Sequence, residues 1–130
     1  MREVQAFLKE CEVYFLATLD GDQPRVRPFG TAEVIDNHLY IETSKKKEVF
    51  KQIEKNSKVE ICAYKNGKWI RVTGKLVVDD RLDIKEMMFE KDPMLKDMYD
   101  VYSDNTAVLY FTSGEAIISS FTEKPKVIKL

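Results

Sequence analysis

Two short runs hold the residues whose types and spacing suit ligand chemistry. In Pro24-Arg25-Val26-Arg27-Pro28-Phe29, extended-chain alternation throws Arg25, Arg27 and Phe29 to one side and Val26 to the other. In Glu42-Thr43-Ser44-Lys45-Lys46-Lys47, hydroxyls and ammonium groups stand where an extended segment runs into a helix. A helix start offers outward N–H groups and the positive end of the helix dipole, so hydroxyls and cations there suit a phosphate. Two arginines and an aromatic on a neighbouring strand suit the planar, polar remainder of a nucleotide-like ligand. The rest of the chain is read as a scaffold holding these runs side by side.

Each feature also has a plainer reading. The lysine run could be the solvated start of an amphipathic helix, and Arg25 and Arg27 could pair with acids across a sheet. Trp69 suits a core or interface position. Arg71, mid-strand between Ile70 and Val72, needs a partner for its charge. His38, the single histidine, adjoins a turn and reads as a surface residue, with no second ligand at metal-binding spacing. No Ser, Cys or His arrangement reads as a nucleophilic triad. Met87, Met88, Met94 and Met98, with Phe89, Tyr99 and Tyr102, read as helical core filling, or as an adaptable lid over a substrate pocket.

The elements that must position these residues follow from periodicity. Val4, Phe7, Leu8 and Cys11 share one face of a helix over Arg2 to Cys11. Val13 to Leu19 reads as a strand ending in the turn Asp20-Gly21-Asp22. Pro24 to Ile35 reads as one long returning strand, bent near Pro28 to Gly30. Asp36-Asn37 turns into His38 to Thr43, and Lys46 to Asn56 reads as a helix with Val49, Phe50 and Ile53 inward. Lys58 to Tyr64 and Lys68 to Val78 form a hairpin around Asn66-Gly67. Asp80 is expected to cap a helix carrying Leu82, Ile84, Met87 and Met88, which Asp92-Pro93 closes while opening a shorter one. Thr106 to Thr112 and Glu115 to Phe121 are expected as two strands joined around Ser113-Gly114. Short connections imply antiparallel pairing, and a closed or partly open barrel removes exposed edges. The fold class is therefore β-rich α+β, not a doubly wound parallel sheet.

At 130 residues, 44% hydrophobic and 33% charged, the chain is a single soluble domain spanning residues 1–130. A net charge of −1 gives no global field for nucleic acid or an anionic membrane. The basic patch is local: Ser44 to Lys58 has six lysines against Glu48 and Glu54, whereas Asp79 to Asp104 has nine acids against four bases. Cys11 and Cys62 are too few for a disulfide framework and read as buried small residues. No signal core and no membrane-length apolar run is evident, so a cytoplasmic location is expected.

The order of these pieces carries a resemblance. An N-terminal helix leads to Val13–Thr18, a Gly-Asp-Gln-Pro turn and Arg25-Val26-Arg27-Pro28-Phe29; then come Leu39–Ser44, the lysine run, the helix ending at Asn56, and Val59–Ala63. This resembles the pyridoxamine 5′-phosphate oxidase-like superfamily of flavin-binding split barrels, in particular its small general-stress and nitroimidazole-resistance-type members. The resemblance implies a six-stranded antiparallel split β-barrel with peripheral helices, and a homodimer holding FMN at the subunit interface. It implies that Arg25, Val26, Arg27, Pro28 and Phe29 lie along the isoalloxazine. Thr43, Ser44, Lys45, Lys46 and Lys47 would meet the phosphate, and Trp69 and Arg71 would add a second set of contacts. The C-terminal extension used by true pyridoxamine phosphate oxidases is not seen here. The implied activity is an oxidoreductase passing electrons from NAD(P)H to a small-molecule acceptor such as a nitro compound or quinone. A non-catalytic flavin carrier or redox sensor uses the same residues, and deazaflavin or haem are alternative ligands of the fold. The lone His38 argues against haem, because a histidine axial ligand would have to be that residue.

Overall fold

A computed structural model describes all residues from 1 to 130. Helix α1 (Arg2–Cys11) is followed by strands β1 (Tyr14–Asp20), β2 (Gln23–Phe29), β3 (Glu33–Ile35) and β4 (His38–Ser44). Next come α2 (Glu48–Lys55), β5 (Lys58–Lys65), β6 (Lys68–Asp79), α3 (Leu82–Lys91) and a 3₁₀ helix at Pro93–Asp97. Strands β7 (Thr106–Ser120) and β8 (Lys126–Lys129) complete the chain. No helix is long and apolar enough to cross a membrane.

All strand pairings are antiparallel, as short connections require. The order is β2-β1-β5-β6-β7-β4-β3, with β8 on β7. The sheet stays open between β2 and β3, which makes it a split barrel with peripheral helices. Two of its hairpins turn on positive-φ pairs, Asp36-Asn37 and Asn66-Gly67, whose backbone twist matches that of the flanking strands.

Alternation sorts the two faces of the sheet. Tyr14 and Leu16 of β1, Val59, Ile61 and Ala63 of β5, and Ile70 and Val72 of β6 point into a core cluster of 20 residues, closed by Val4 and Leu8 of α1 and Val49, Phe50 and Ile53 of α2. Burying such apolar surface is the main drive for folding. A second cluster of 7 residues joins Tyr40 of β4 to Ile84, Met88 and Phe89 of α3 and to Leu95.

Several expectations are corrected. Pro24 to Ile35 is two strands, because the chain leaves the sheet at Gly30–Ala32 to pass from β2 to β3. The turn expected at Ser113-Gly114 does not exist: β7 runs straight through it. Gly74 faces Gly114 across the ladder beside an irregular register at Lys75/Leu76. A Cβ on Gly74 would lie 2.3 Å from the Ser113 carbonyl, so these glycines permit close backbone approach rather than reversal. Strand β8, and with it a total of eight strands, lay outside the expectation. Asp80 does not cap α3, whose N-cap is Arg81; Asp80 accepts from Lys45 Nζ at 2.9 Å instead. Helix α2 begins at Glu48, with Lys47 as its N-cap. Cys62 is exposed and Cys11 half-buried, because Cys62 falls on the outward phase of β5.

Candidate functional site

Strands β2 and β4 lie far apart in the sheet order, so they are not neighbours in a ladder. Curling of the sheet brings their ends together. The segment between β2 and β3 fastens this closure: Tyr14 Oη donates to the Thr31 carbonyl at 2.6 Å, and the Glu42 N–H donates to Thr31 Oγ1 at 2.9 Å. The Tyr14 and Phe29 rings lie 6.1 Å apart beneath it. The result is a cavity of about 370 Å³ walled by the end of β2, the end of β4, the start of α2 and the 3₁₀ segment.

Four of the twelve expected site residues line this cavity: Pro28, Phe29, Thr43 and Lys47. Ser44 follows Thr43 outside the lining and organises the turn into α2. Its carbonyl accepts the Lys47 N–H at 3.0 Å, and its hydroxyl accepts the Lys46 N–H at 3.3 Å. Lys46 and Lys47 take part in no ion pair, whereas Lys45 is committed to Asp80. The Lys47 ammonium lies 6.0 Å from the centre of the Tyr99 ring. Two cations in no ion pair at a helix start form a region suited to an anion.

The arginines are held differently. Arg25, Arg27 and Phe29 do share a face, since they pair with Thr18, Leu16 and Tyr14, which are all inward positions. Arg25 meets Asp20 at 3.3 Å on the surface, a contact worth under about 1 kcal/mol. Arg27 bridges to α2. It donates to Thr18 Oγ1 at 2.7 Å, to Gln52 Oε1 at 2.8 Å and to the Leu16 carbonyl at 3.1 Å. Every acceptor is neutral, so its charge has no acid against it, and burial together with Arg25 draws its pKa down. Val26 points outward and is well exposed.

Trp69 and Arg71 lie on the outward face of β6, and neither lines the cavity. Arg71 finds its partner across the ladder in Glu60, whose two oxygens accept from it at 3.1 Å. Trp69 packs on Phe121, with ring centres 5.0 Å apart. Within one chain these two residues are therefore not brought to the cavity.

A residue that sequence reasoning did not single out sits in the wall. Three carboxylates are buried: Glu33, Glu42 and Asp79. Glu33 accepts from Gln5 Nε2 at 2.8 Å and from Lys9. Asp79 accepts from Tyr40 Oη at 2.8 Å and from the Arg81 guanidinium, and those donors hold its pKa low. Glu42 is 2% exposed, and neither of its oxygens has a partner; nor does Thr43 Oγ1 beside it. Desolvation pushes the Glu42 carboxyl up to about 8, helped by Asp92 and opposed by Lys85. The available signal was an acid following Leu39-Tyr40-Ile41 in a strand interior, where an unpaired charge is costly.

The methionines divide. Met88 is buried in the second core cluster, whereas Met94 and Met98 are largely exposed and line the cavity with Leu95 and Tyr99. Polarisable, unbranched side chains there form an adaptable cover. A larger depression of about 610 Å³ lies farther along α3, walled in part by Glu86, Glu90, Asp97 and Asp100. That acidic wall disfavours an anionic ligand. His38 stays in its hairpin, with Nδ1 2.9 Å from the Asp36 carbonyl, and no cluster of metal-ligating side chains is present.

Comparison with known proteins agrees with this architecture. A family model described as pyridoxamine 5′-phosphate oxidase matches residues 1–116. The chain is similar to a NimC/NimA family protein from Clostridium acetobutylicum, with 46% identity, 100% of this chain and 92% of that chain covered, and a TM-score of 0.97. It shares its fold with General Stress Protein 26 from Bacillus anthracis (16% identity, 99% and 98% covered, TM-score 0.76). It also shares it with a pyridoxamine 5′-phosphate oxidase-related, FMN binding protein from Nostoc punctiforme (16% identity, 99% and 95% covered, TM-score 0.64). No curated protein matches the chain. On the extent of the family match and the 46% identity across its whole length, the chain belongs to the pyridoxamine 5′-phosphate oxidase family.

Proposed function

We propose that the chain binds FMN and acts as an oxidoreductase that passes electrons from NAD(P)H to a small-molecule acceptor, with nitro compounds and quinones as the substrate class. The observation that carries this reading is the cavity itself. It joins an apolar, aromatic wall at Pro28 and Phe29 to the unpaired Lys47 at the start of α2. Such a wall fits a planar ring, and a helix start with free cations fits a phosphate. Membership of the family points the same way.

In this reading Ser44, Lys46 and Lys47 hold the phosphate, with Thr43 beside them, while Lys45 secures the turn through Asp80. The strand Arg25-Val26-Arg27-Pro28-Phe29 borders the ring, and Arg27 steadies β2 against α2 while adding positive potential. Bound FMN supplies the electron transfer; the chain supplies placement, exclusion of water and charge.

The active form is proposed to be a homodimer with FMN at the subunit interface. The outward sheet face supports this, since it exposes Phe15 at 50%, Tyr64 at 64% and Val26 at 67%, more apolar surface than scattered surface residues explain. Trp69 and Arg71 share that face and would reach a partner subunit's ligand rather than their own.

The test compares FMN with riboflavin, which lacks the phosphate. In the double variant Lys46→Ala, Lys47→Ala, FMN affinity is expected to fall about tenfold or more, the scale of lost hydrogen bonds to a charged group. Riboflavin affinity should stay as in the wild type. Equal losses for both flavins would remove the phosphate site from α2. Steady NAD(P)H oxidation with added acceptors then separates an enzyme from a flavin carrier, since a carrier shows no turnover with any of them.

A further inference from the structure

Of the three buried carboxylates, only Glu42 has no donor on either oxygen. The same cavity is lined by Thr43, whose hydroxyl is likewise buried without a partner. A buried polar group without a partner costs about 1–3 kcal/mol, so a fold that satisfies Glu33 and Asp79 fully leaves these atoms free only where something else completes them. The wall around them is apolar at Phe29, Leu95, Met98 and Tyr99, which suits a flat ring more than a charged chain.

We propose that this cavity receives an uncharged, planar heterocycle, and that Glu42 reads a –CO–NH– edge of that ring through paired hydrogen bonds. A carboxylic acid in its neutral form has one O–H donor and one carbonyl acceptor, the complement of an amide edge. The groups facing Glu42 favour that form. Asp92, preceding the 3₁₀ segment, repels its charge; Lys85 on α3 attracts it but makes no ion pair with it. Lys47 at the start of α2 and Tyr99 after the 3₁₀ segment complete the ionisable surroundings. With the carboxyl pushed up to about 8, most of it is protonated at neutral pH.

The inference rests on the functional reading above, in which two ring systems carry such an edge: the flavin and the nicotinamide. The experiment distinguishes them. Riboflavin is titrated into the flavin-free protein, and nicotinamide into the FMN-loaded protein, each at about pH 7 and about pH 9. Wild type, Glu42→Gln and Glu42→Leu are compared. For the ligand that Glu42 reads, wild-type affinity should fall about tenfold between the two pH values, because ionisation removes the donor. Glu42→Gln keeps one donor and one acceptor, so its affinity should be independent of pH. Glu42→Leu should bind about tenfold more weakly at both.

A second readout needs no variant to fold. With carboxyl-¹³C glutamate, the Glu42 resonance should titrate near the pH given by its burial, and the ligand should move that midpoint upward. The pattern with riboflavin assigns the edge to the cofactor; the pattern with nicotinamide alone assigns it to the electron donor. If flavins bind all three proteins with one pH profile, and nicotinamide does likewise, Glu42 reads neither ring and the proposal falls while the flavin reading stands. If no flavin binds the wild type, the flavin reading falls, and nicotinamide added to the ligand-free protein decides the role of Glu42 by the same criteria.

Discussion

Replacing Glu42 by Gln should change how stability depends on pH even with no ligand present. In the folded chain the carboxyl is pushed up to about 8 from an ordinary 4.5, because burial disfavours its charge. The unfolded chain releases that proton near the ordinary value, so between the two the folded state binds more protons than the unfolded one. Stability from this group is full below the unfolded pKa, declines as pH rises, and is gone above the folded pKa. The slope is about 1.4 kcal/mol per pH unit. Across the window the loss is about 4 kcal/mol, a large share of the 5–15 kcal/mol typical of a domain. The assay is urea unfolding of wild type and Glu42→Gln at about pH 5, 6.5 and 8, at one protein concentration, so that linkage to any association is held constant. All other acids titrate equally in both proteins and cancel. The stability of the variant relative to the wild type should rise by about 2 kcal/mol at each step. Parallel profiles would show that Glu42 is solvated or paired in the folded chain, and would refute the reasoning from burial.

Other expectations concern the scaffold and the assembly. Gly74→Ala forces a Cβ to 2.3 Å from the Ser113 carbonyl and 2.9 Å from the Phe111 ring, and should cost about 3 kcal/mol in thermal or denaturant unfolding. Gly30→Ala meets nothing closer than 3.5 Å and carries no positive φ, so it should be neutral or stabilise by up to about 1 kcal/mol; similar costs at both positions would contradict the close approach of β6 and β7. Val26→Asp puts a charge on the outward sheet face, and sedimentation should then show the proposed dimer shifted to monomer with the far-ultraviolet spectrum unchanged. A dimer that persists through that substitution would place the interface elsewhere.

Local structure was legible because its causes are local. The 3.6-residue spacing of Val4 and Leu8 marked α1, and Asp36-Asn37 and Asn66-Gly67 marked hairpins through the positive φ that such turns demand. Pro93 opened the 3₁₀ helix as its fixed φ allows. The order of strands and the lysine run after Thr43-Ser44 were enough for the family. Ser113-Gly114 misled because a glycine serves a turn and a close backbone contact equally well, and only the ladder partner, Gly74, distinguishes them.

The candidate site divides along the same line. Its chemistry, an aromatic, hydroxyls and cations in two short runs, belongs to the residues themselves and could be read from their types and spacing. Its assembly depended on the curl of the open sheet, which carries Phe29 and Thr43 from distant strands to one cavity and leaves Trp69 and Arg71 outside it. The protonation of Glu42 is likewise a tertiary property. A glutamate in a strand pattern is an ordinary acid until the surrounding elements take away water and leave both of its oxygens without donors, since the cost of a charge is set by what encloses it.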